Sequence, residues 1–409
     1  VEHRLPEEEL ECPQCGEAME EIGVEVKREL KIKPAEVTVV EHRYYSYACR
    51  NCNETDIETP VVRTPWEKCV IPGSFATPEA IAYIMTQKFC MGSPLYRLEQ
   101  EMKLRGIPLS RQTMSNWILR AAEDYLTPVY ELLHKDLLTR AVLHADETVL
   151  QVLREEGRTP QSKSYMWLYR TGGDTSQHIV LYEYQPDRGG RHPKEFLEGF
   201  QGYLHTDGYA GYHNLPPGIT VVGCWAHARR KFDEAMKAQP KGKQKNSLAA
   251  QGLAWCNMLF KIEEGLAGLS PKERYDERQK QAKPVLDAML SWANSRTAAP
   301  KSLLGKALNY LKEQWPYLSN YLLDGRLELS NNRAERSIKP FVIDRKNFLF
   351  ANTPRGARGS AVMFSLIQTA KENGLDPYGY LTRLLREAAK LRETEETWAE
   401  KLLPWRMLS

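Results

Sequence analysis

No stretch of this 409-residue chain approaches the roughly 18 consecutive apolar residues that a membrane span needs. No charged-then-apolar signal segment opens it either, although it starts on Val1 rather than Met. Charge of one sign is also lacking: 56 basic against 53 acidic residues leave a formal +3, so net charge alone gives no argument for nucleic acid. With 42% hydrophobic and 27% charged residues the composition excludes disordered and fibrous classes. The length is too great for one ordinary core. These absences lead us to expect a soluble, cytoplasmic, multidomain protein with no membrane partner.

Cysteine is sparse, and half of it is concentrated in two pairs. Cys12-Pro-Gln-Cys15 and Cys49-Arg-Asn-Cys52 are Cys-x2-Cys pairs in the first sixth of the chain. Each pair on a tight turn offers two thiolates on one side, and two pairs complete a tetrahedral structural Zn2+ site with no open position. Gly16 follows the first pair where a positive φ is needed. Disulfides are the alternative, which a cytosolic chain disfavours. Between the pairs, the segment from Glu36 to Arg43 and Tyr44-Tyr-Ser-Tyr47 read as strands of a ribbon. Cys69, Cys90 and Cys256 stand alone, as small buried or semi-buried residues.

From Thr77 the apolar spacing turns helical, with a first helix opening at Pro78-Glu79 and a second marked by Leu95, Leu98, Met102 and Leu104. Ser110 caps a third, whose Arg111, Gln112, Ser115 and Asn116 face outward while Leu109, Met114, Trp117 and Ile118 pack inward. A polar-faced helix after a turn has the form of a helix-turn-helix reading a major groove. The helix from Arg120 to Leu138 leads onward.

Around Arg140 the period changes. Strands are expected at Ala141–Leu153 with Asp146 as a polar interruption, at Tyr165–Arg170, at His178–Tyr184, at Gly202–Asp207 and at Ile219–Trp225, with a helix near His192–Leu197. Three strands, a helix and two strands begin a ribonuclease-H-like fold, in which the first and fourth strands are neighbours. A third acid then comes from a later helix, and Asn331-Asn-Arg-Ala-Glu335 supplies one, capped by Ser330 or Asn331. Three converging carboxylates suit two hard divalent ions, Mg2+ or Mn2+, about 3.5–4 Å apart, the arrangement used for in-line attack on phosphodiesters. Basic residues cluster around these acids: His227, Arg229, Arg230 and Lys231, then Arg336, Lys339, Arg345 and Lys346 are candidate phosphate contacts. Acidic residues gather instead at Glu7, Glu8, Glu9 and Glu11.

Over nearly its whole length the chain resembles the transposases of the insertion sequence 66 family, within the Asp-Asp-Glu transposase superfamily. The resemblance rests on the four cysteines, Ser110-Arg-Gln-Thr-Met-Ser-Asn-Trp117, His144-Ala-Asp146-Glu-Thr, and Asp207-Gly-Tyr-Ala-Gly-Tyr. It continues through Cys224-Trp-Ala-His-Ala-Arg-Arg-Lys-Phe, Asn331-Asn-Arg-Ala-Glu335-Arg, Arg345-Lys-Asn-Phe-Leu-Phe, and Thr369-Ala-Lys-Glu-Asn-Gly-Leu-Asp-Pro-Tyr. It implies that Asp146, Asp207 and Glu335 are metal-binding catalytic acids for cleavage and strand transfer on double-stranded DNA, at transposon ends and target. It further implies a homo-oligomer on DNA, accessory proteins from the same element and a bacterial, nucleoid-associated location. A transposase-derived DNA-binding protein, or a nuclease without strand transfer, is the alternative. Cys224 and His227 resemble a Cys-x2-His signature of related groups; we expect His227 to orient a neighbour or a phosphate, since two further zinc ligands are not evident in the sequence.

The expected fold class is a multidomain α+β and α/β chain. Residues 1–67 form a four-cysteine zinc ribbon, 68–138 a helix-turn-helix bundle and linker, and 139–238 the first part of a catalytic core. Residues 239–328 are an all-helical insertion, 329–376 the second part of the core, and 377–409 a helical tail.

Overall fold

The computed structural model describes residues 2, 4, 6, 10, 12–28, 36–54, 61–65 and 69–407. The chain divides into two compact units, Val1–Pro65 and Trp66–Ser409. The acidic cluster Glu7, Glu8, Glu9 and Glu11 lies outside the described residues.

The first unit has little to bury: none of its described residues is buried. Its regular elements are β1 (Ser46–Ala48), the short helix α1 (Arg50–Glu54) and β2 (Val61–Arg63), with β1 and β2 antiparallel. The ribbon therefore differs from the reading of the sequence. The described residues 36–45 form no strand, and the partner of Tyr47 is Val62 rather than an earlier segment.

In the second unit, α2 (Pro78–Phe89) starts where Thr77 caps it by accepting from Ala80 N–H. After α3 (Leu95–Leu104) the chain turns through Gly106 into α4 (Arg111–Ala121), capped by Ser110 on Thr113 N–H. Leu109, Met114, Trp117 and Ile118 are buried and Arg111, Gln112 and Asn116 exposed, as the 3.6-residue period predicts. A single π-turn, Ala122–Leu126, joins α4 to α5 (Thr127–Leu137), so helical backbone runs unbroken into the sheet domain.

Five strands follow: β3 (Val142–Gln151), β4 (Lys163–Thr171), β5 (Val180–Gln185), β6 (Gly202–His205) and β7 (Ile219–Val222), with α6 (Arg191–Phe196) between β5 and β6. Their order is β5-β4-β3-β6-β7, antiparallel from β5 to β3 and parallel from β3 to β7. The chain reverses its direction of travel across the sheet between β3 and β6, the kind of position at which sites form outside the carboxyl ends of strands in open α/β sheets.

Helix α7 (Trp225–Lys237) leads into α8 (Leu248–Gly265), α9 (Pro271–Asn294) and α10 (Leu303–Leu318). These helices share one core with the sheet, in which Val142, Val222 and Trp225 pack with Leu259, Leu286, Met289, Leu311 and Leu318. Arg278 of α9 is buried with them. It pairs with Glu263 at 2.7 Å and donates to the carbonyls of Tyr321, Asp324 and Leu327. That guanidinium fixes the segment that leads into α11 (Asn332–Phe348).

Helix α12 (Pro354–Glu372) covers the edge strand β5. Ser365 and Thr369 hydroxyls accept from Tyr182 and Val180 N–H, satisfying donors an open edge would expose. Helix α13 (Pro377–Leu391) returns to pack on α2. No helix among the described residues is long and apolar enough to cross a membrane. Of the lone cysteines, Cys256 is buried and Cys90 partly so. Cys69 is exposed, against expectation.

Candidate active site

The pairing of β3 with β6 begins the site. His144 lies opposite His205, and two residues beyond them come Asp146 and Asp207. Asp146 remains in β3, paired with Leu168 on β4, whereas Asp207 lies past the end of β6 rather than within it. The Asp207 carboxylate accepts from Tyr209 N–H at 2.9 Å, and its carbonyl accepts from Tyr310 Oη at 3.0 Å. Tyr310 belongs to α10, so the helical insertion forms part of the wall beside the second acid. Between them, Gly208 has φ +96°, with Gln314 and Tyr310 3.0 Å from where a Cβ would stand.

Glu335 arrives on the first turn of α11. Asn331 occupies the N-cap position, but its side chain makes no cap hydrogen bond. Instead its amide donates to Ala145 O at 2.8 Å and its carbonyl oxygen meets His144 Nδ1 at 2.9 Å. The residue expected to cap the helix thus ties it to the strand that carries Asp146. Arg170 of β4 fastens the same helix from below through Ser337 and pairs with Glu372 at 3.0 Å.

Burial pushes the Asp146 carboxyl well above the usual carboxylate range, and the negative charges of Glu147, Asp207 and Glu335 push the same way. Carboxylate oxygens are the donors that a hard divalent ion takes. The three acids do not form a single tight cluster. Among the described residues, the only trio whose ligating atoms all come within 4.8 Å of one another is Cys224, His227 and Glu335.

Sequence reasoning missed Glu147. Its buried carboxylate is ion-paired with Arg188 and accepts from Tyr212 Oη at 2.7 Å, while Arg188 also stacks 3.8 Å over Tyr209. Burial raises the Glu147 carboxyl, Asp207 adds to this, and Arg188 and Tyr212 oppose it. An acid directly following Asp146 on a buried strand was the available signal, and strand alternation argued against using it.

His227, one turn into α7, does lie beside a neighbour: its Nδ1 is 3.7 Å from Glu335 Oε1, and Arg230 Nη2 is 3.7 Å from the other oxygen. The remaining basic candidates divide into two groups. Arg336, Lys339 and Lys346 are exposed on α11. Arg345 is already engaged with Thr148 Oγ1 at 2.8 Å and Val149 O, Arg229 with Asn257 at 2.6 Å, and Lys231 sits over the Tyr310 ring. On α4, Gln112 donates to Asn116 at 3.1 Å across the exposed face, with Ser115 half-buried between them.

Of the cysteine pairs, the first forms a turn. Gly16 N–H donates to Cys12 O, Cys12 N–H to Glu17 O, and Gly16 has φ +76°. Backbone donors at Gln14 and Cys15 hold the Cys12 thiol below its usual value. Cys49 precedes α1 and Cys52 lies within it. The four sulfurs are not drawn into one cluster. No described residue of this unit is buried, so an ion held by the two pairs would contribute directly to its folding energy.

Comparison with known proteins gives three matches along the chain. Residues 73–359 match the model described as Transposase IS66 family. Residues 9–53 match the zinc-finger binding domain of transposase IS66, and 365–405 the IS66 C-terminal element. Three uncharacterized proteins of Sinorhizobium fredii (strain NBRC 101917 / NGR234) are similar throughout. Protein y4hP is 31% identical over 96% of this chain and 73% of its own length. For y4jD the figures are 31%, 96% and 77%, and for y4qI 30%, 98% and 74%.

Proposed function

Because this chain belongs to the IS66 transposase family, we propose that it binds the terminal inverted repeats of an insertion sequence and cuts and joins DNA there with Asp146, Asp207 and Glu335. The observation that carries this reading is the β3–β6 register, in which His144 faces His205 two residues before Asp146 and Asp207. The strand order β5-β4-β3-β6-β7 supports a ribonuclease-H-like core, continued after the helical insertion by α11 and α12. The domain boundaries read from the sequence are retained as part of this proposal.

Asp146 and Asp207 would hold both of two Mg2+ or Mn2+ ions and Glu335 would complete one site. Ions bound there would supply activation of the attacking oxygen and stabilisation of the leaving oxygen. Arg230, Arg336, Lys339 and Lys346 would take phosphates beside the cut, and α4 would present Arg111, Gln112, Ser115 and Asn116 to the major groove as the second helix of a helix-turn-helix. The zinc-finger unit adds a second contact to double-stranded DNA, and assembly of several copies on the two ends follows from the reaction.

The test is single replacement, Asp146→Asn, Asp207→Asn and Glu335→Gln, assayed on end DNA with Mg2+. Each should lower cleavage by about 100-fold or more while end binding stays within about threefold. A variant that still cleaves at the wild-type rate removes that residue from the site. Strand transfer from pre-cleaved ends separates a transposase from a nuclease that only cuts.

A further inference from the structure

Cys224 and His227 flank the first turn of α7, and their chemistry is not used by the acids. Cys224 is fully buried, and its Sγ accepts from Asn331 N–H at 3.2 Å. His227 Nδ1 and Glu335 Oε1 are both shut off from solvent and neither has a hydrogen-bond partner. They stand 3.7 Å apart, too far to satisfy each other. Two such atoms left unpaired in one gap are costly and need an explanation.

An ion gives one. Across a tetrahedral centre with bonds of about 2.0–2.1 Å, ligating nitrogen and oxygen are about 3.4 Å apart. One ligating atom each of Cys224, His227 and Glu335 lies within 4.8 Å of the other two. A thiolate, an imidazole and a carboxylate form a set that Mg2+ disfavours and Zn2+, Co2+ or Cd2+ prefer. Arg230 lies 3.7 Å from the second oxygen of Glu335, and Oε1 has no hydrogen-bond partner.

We propose that Cys224, His227 and Glu335 form a three-ligand site for a thiophilic divalent ion, zinc by class, with a fourth position open. The sequence offered only two of these ligands; the fold brings the third from a helix about 110 residues later. Glu335 is then contested, since an ion held against α7 draws its carboxylate from the hard-ion site beside Asp146. The proposal does not depend on Glu335 acting in DNA cleavage, because its test counts ions rather than cuts.

The full chain, stripped of metal and reloaded with Zn2+ in excess Mg2+, is desalted and its bound zinc measured. Wild type should retain about two zinc ions per chain, one at the four cysteines and one here. Cys224→Ser and His227→Gln should each retain about one, and Glu335→Gln should weaken the second ion by about tenfold or more. Cys49→Ser should remove the other ion and leave this one. Should Cys224→Ser lose its melting transition, His227→Gln, whose side chain is partly exposed, carries the comparison alone. A wild-type count equal to that of His227→Gln overturns the proposal.

Discussion

His144 and His205 face each other in the parallel register of β3 and β6, their rings stacked with centroids 4.3 Å apart and planes 11° from parallel. Both are fully buried. Burial lowers His144 to about 3 and His205 well below the usual histidine range, so the stack is neutral. Asn331 gives its amide hydrogens to Ala145 O, so its carbonyl oxygen accepts and His144 Nδ1 carries the proton. His205 Nε2 accepts from Glu328 N–H. This pair stands two residues before Asp146 and Asp207 in each strand's direction.

Asn331→Ala leaves a buried carbonyl and an imidazole N–H without partners. Unfolding in urea should show a loss of about 2–4 kcal/mol, with cleavage falling as α11 loosens. Asn331→Asp should not restore it, because an ionised carboxylate cannot donate to Ala145 O. An Asp variant as stable as wild type at pH 7 would contradict the assignment.

Gly208→Ala puts a side chain at φ +96° against Gln314 and Tyr310. We expect a stability loss of about 1–3 kcal/mol and a higher Mg2+ concentration for half-maximal cleavage, because Asp207 moves with the turn. Tyr310→Phe, which removes only the bond to Asp207 O, should raise the Mg2+ requirement less. An unchanged Mg2+ dependence in both variants would show that α10 does not position the second acid.

Arg278→Ala strands Glu263 and three carbonyls in the core. The expected loss is about 3–5 kcal/mol, read as a lower melting temperature of the second unit. Replacing both partners, Arg278→Met with Glu263→Met, should recover part of it, since no charge is then left unpaired. No recovery would mean that the carbonyl contacts, rather than the ion pair, carry the effect.

Lys88 is lowered to about 8 by burial, with Asp344 opposing, and its ammonium lies 3.6 Å from the Phe348 ring centre. Below pH 8 both folded and unfolded chains carry the charge, and its unfavourable burial is fully present. Between pH 8 and the usual 10.5 the folded chain releases the proton first, so stability relative to a Lys88→Met variant rises with pH. At pH 7 Lys88→Met should be more stable by about 1–2 kcal/mol, the ring contact offsetting part of the burial cost. The gap should close by pH 10.5. Melting curves across this range that stay parallel would refute the shift.

Local spacing made much of this protein legible. The Cys-x2-Cys pairs, the amphipathic face of α4, the strand periods around Asp146 and Asp207 and the helix start before Glu335 are all encoded within a few residues. Chemistry at that range is set by backbone period and turn geometry, which a sequence states directly. The strand expected at Glu36–Arg43 is not formed, whereas the one expected at Tyr44–Tyr47 overlaps β1; with no described residue of this unit buried, there is no apolar alternation to mark strand bounds.

Contacts between distant residues were decided only by the tertiary structure. The register of His144 on His205, the Asn331 tie to β3, Glu147 with Arg188 and Tyr212, and Tyr310 on Asp207 all join segments whose separation no period reports. Each forms because buried polar groups need partners, and folding determines which partners are near. For this chain, then, the sequence determined which residues could serve a site. Packing determined which of them meet, and it brought Glu335 beside His227 and Cys224.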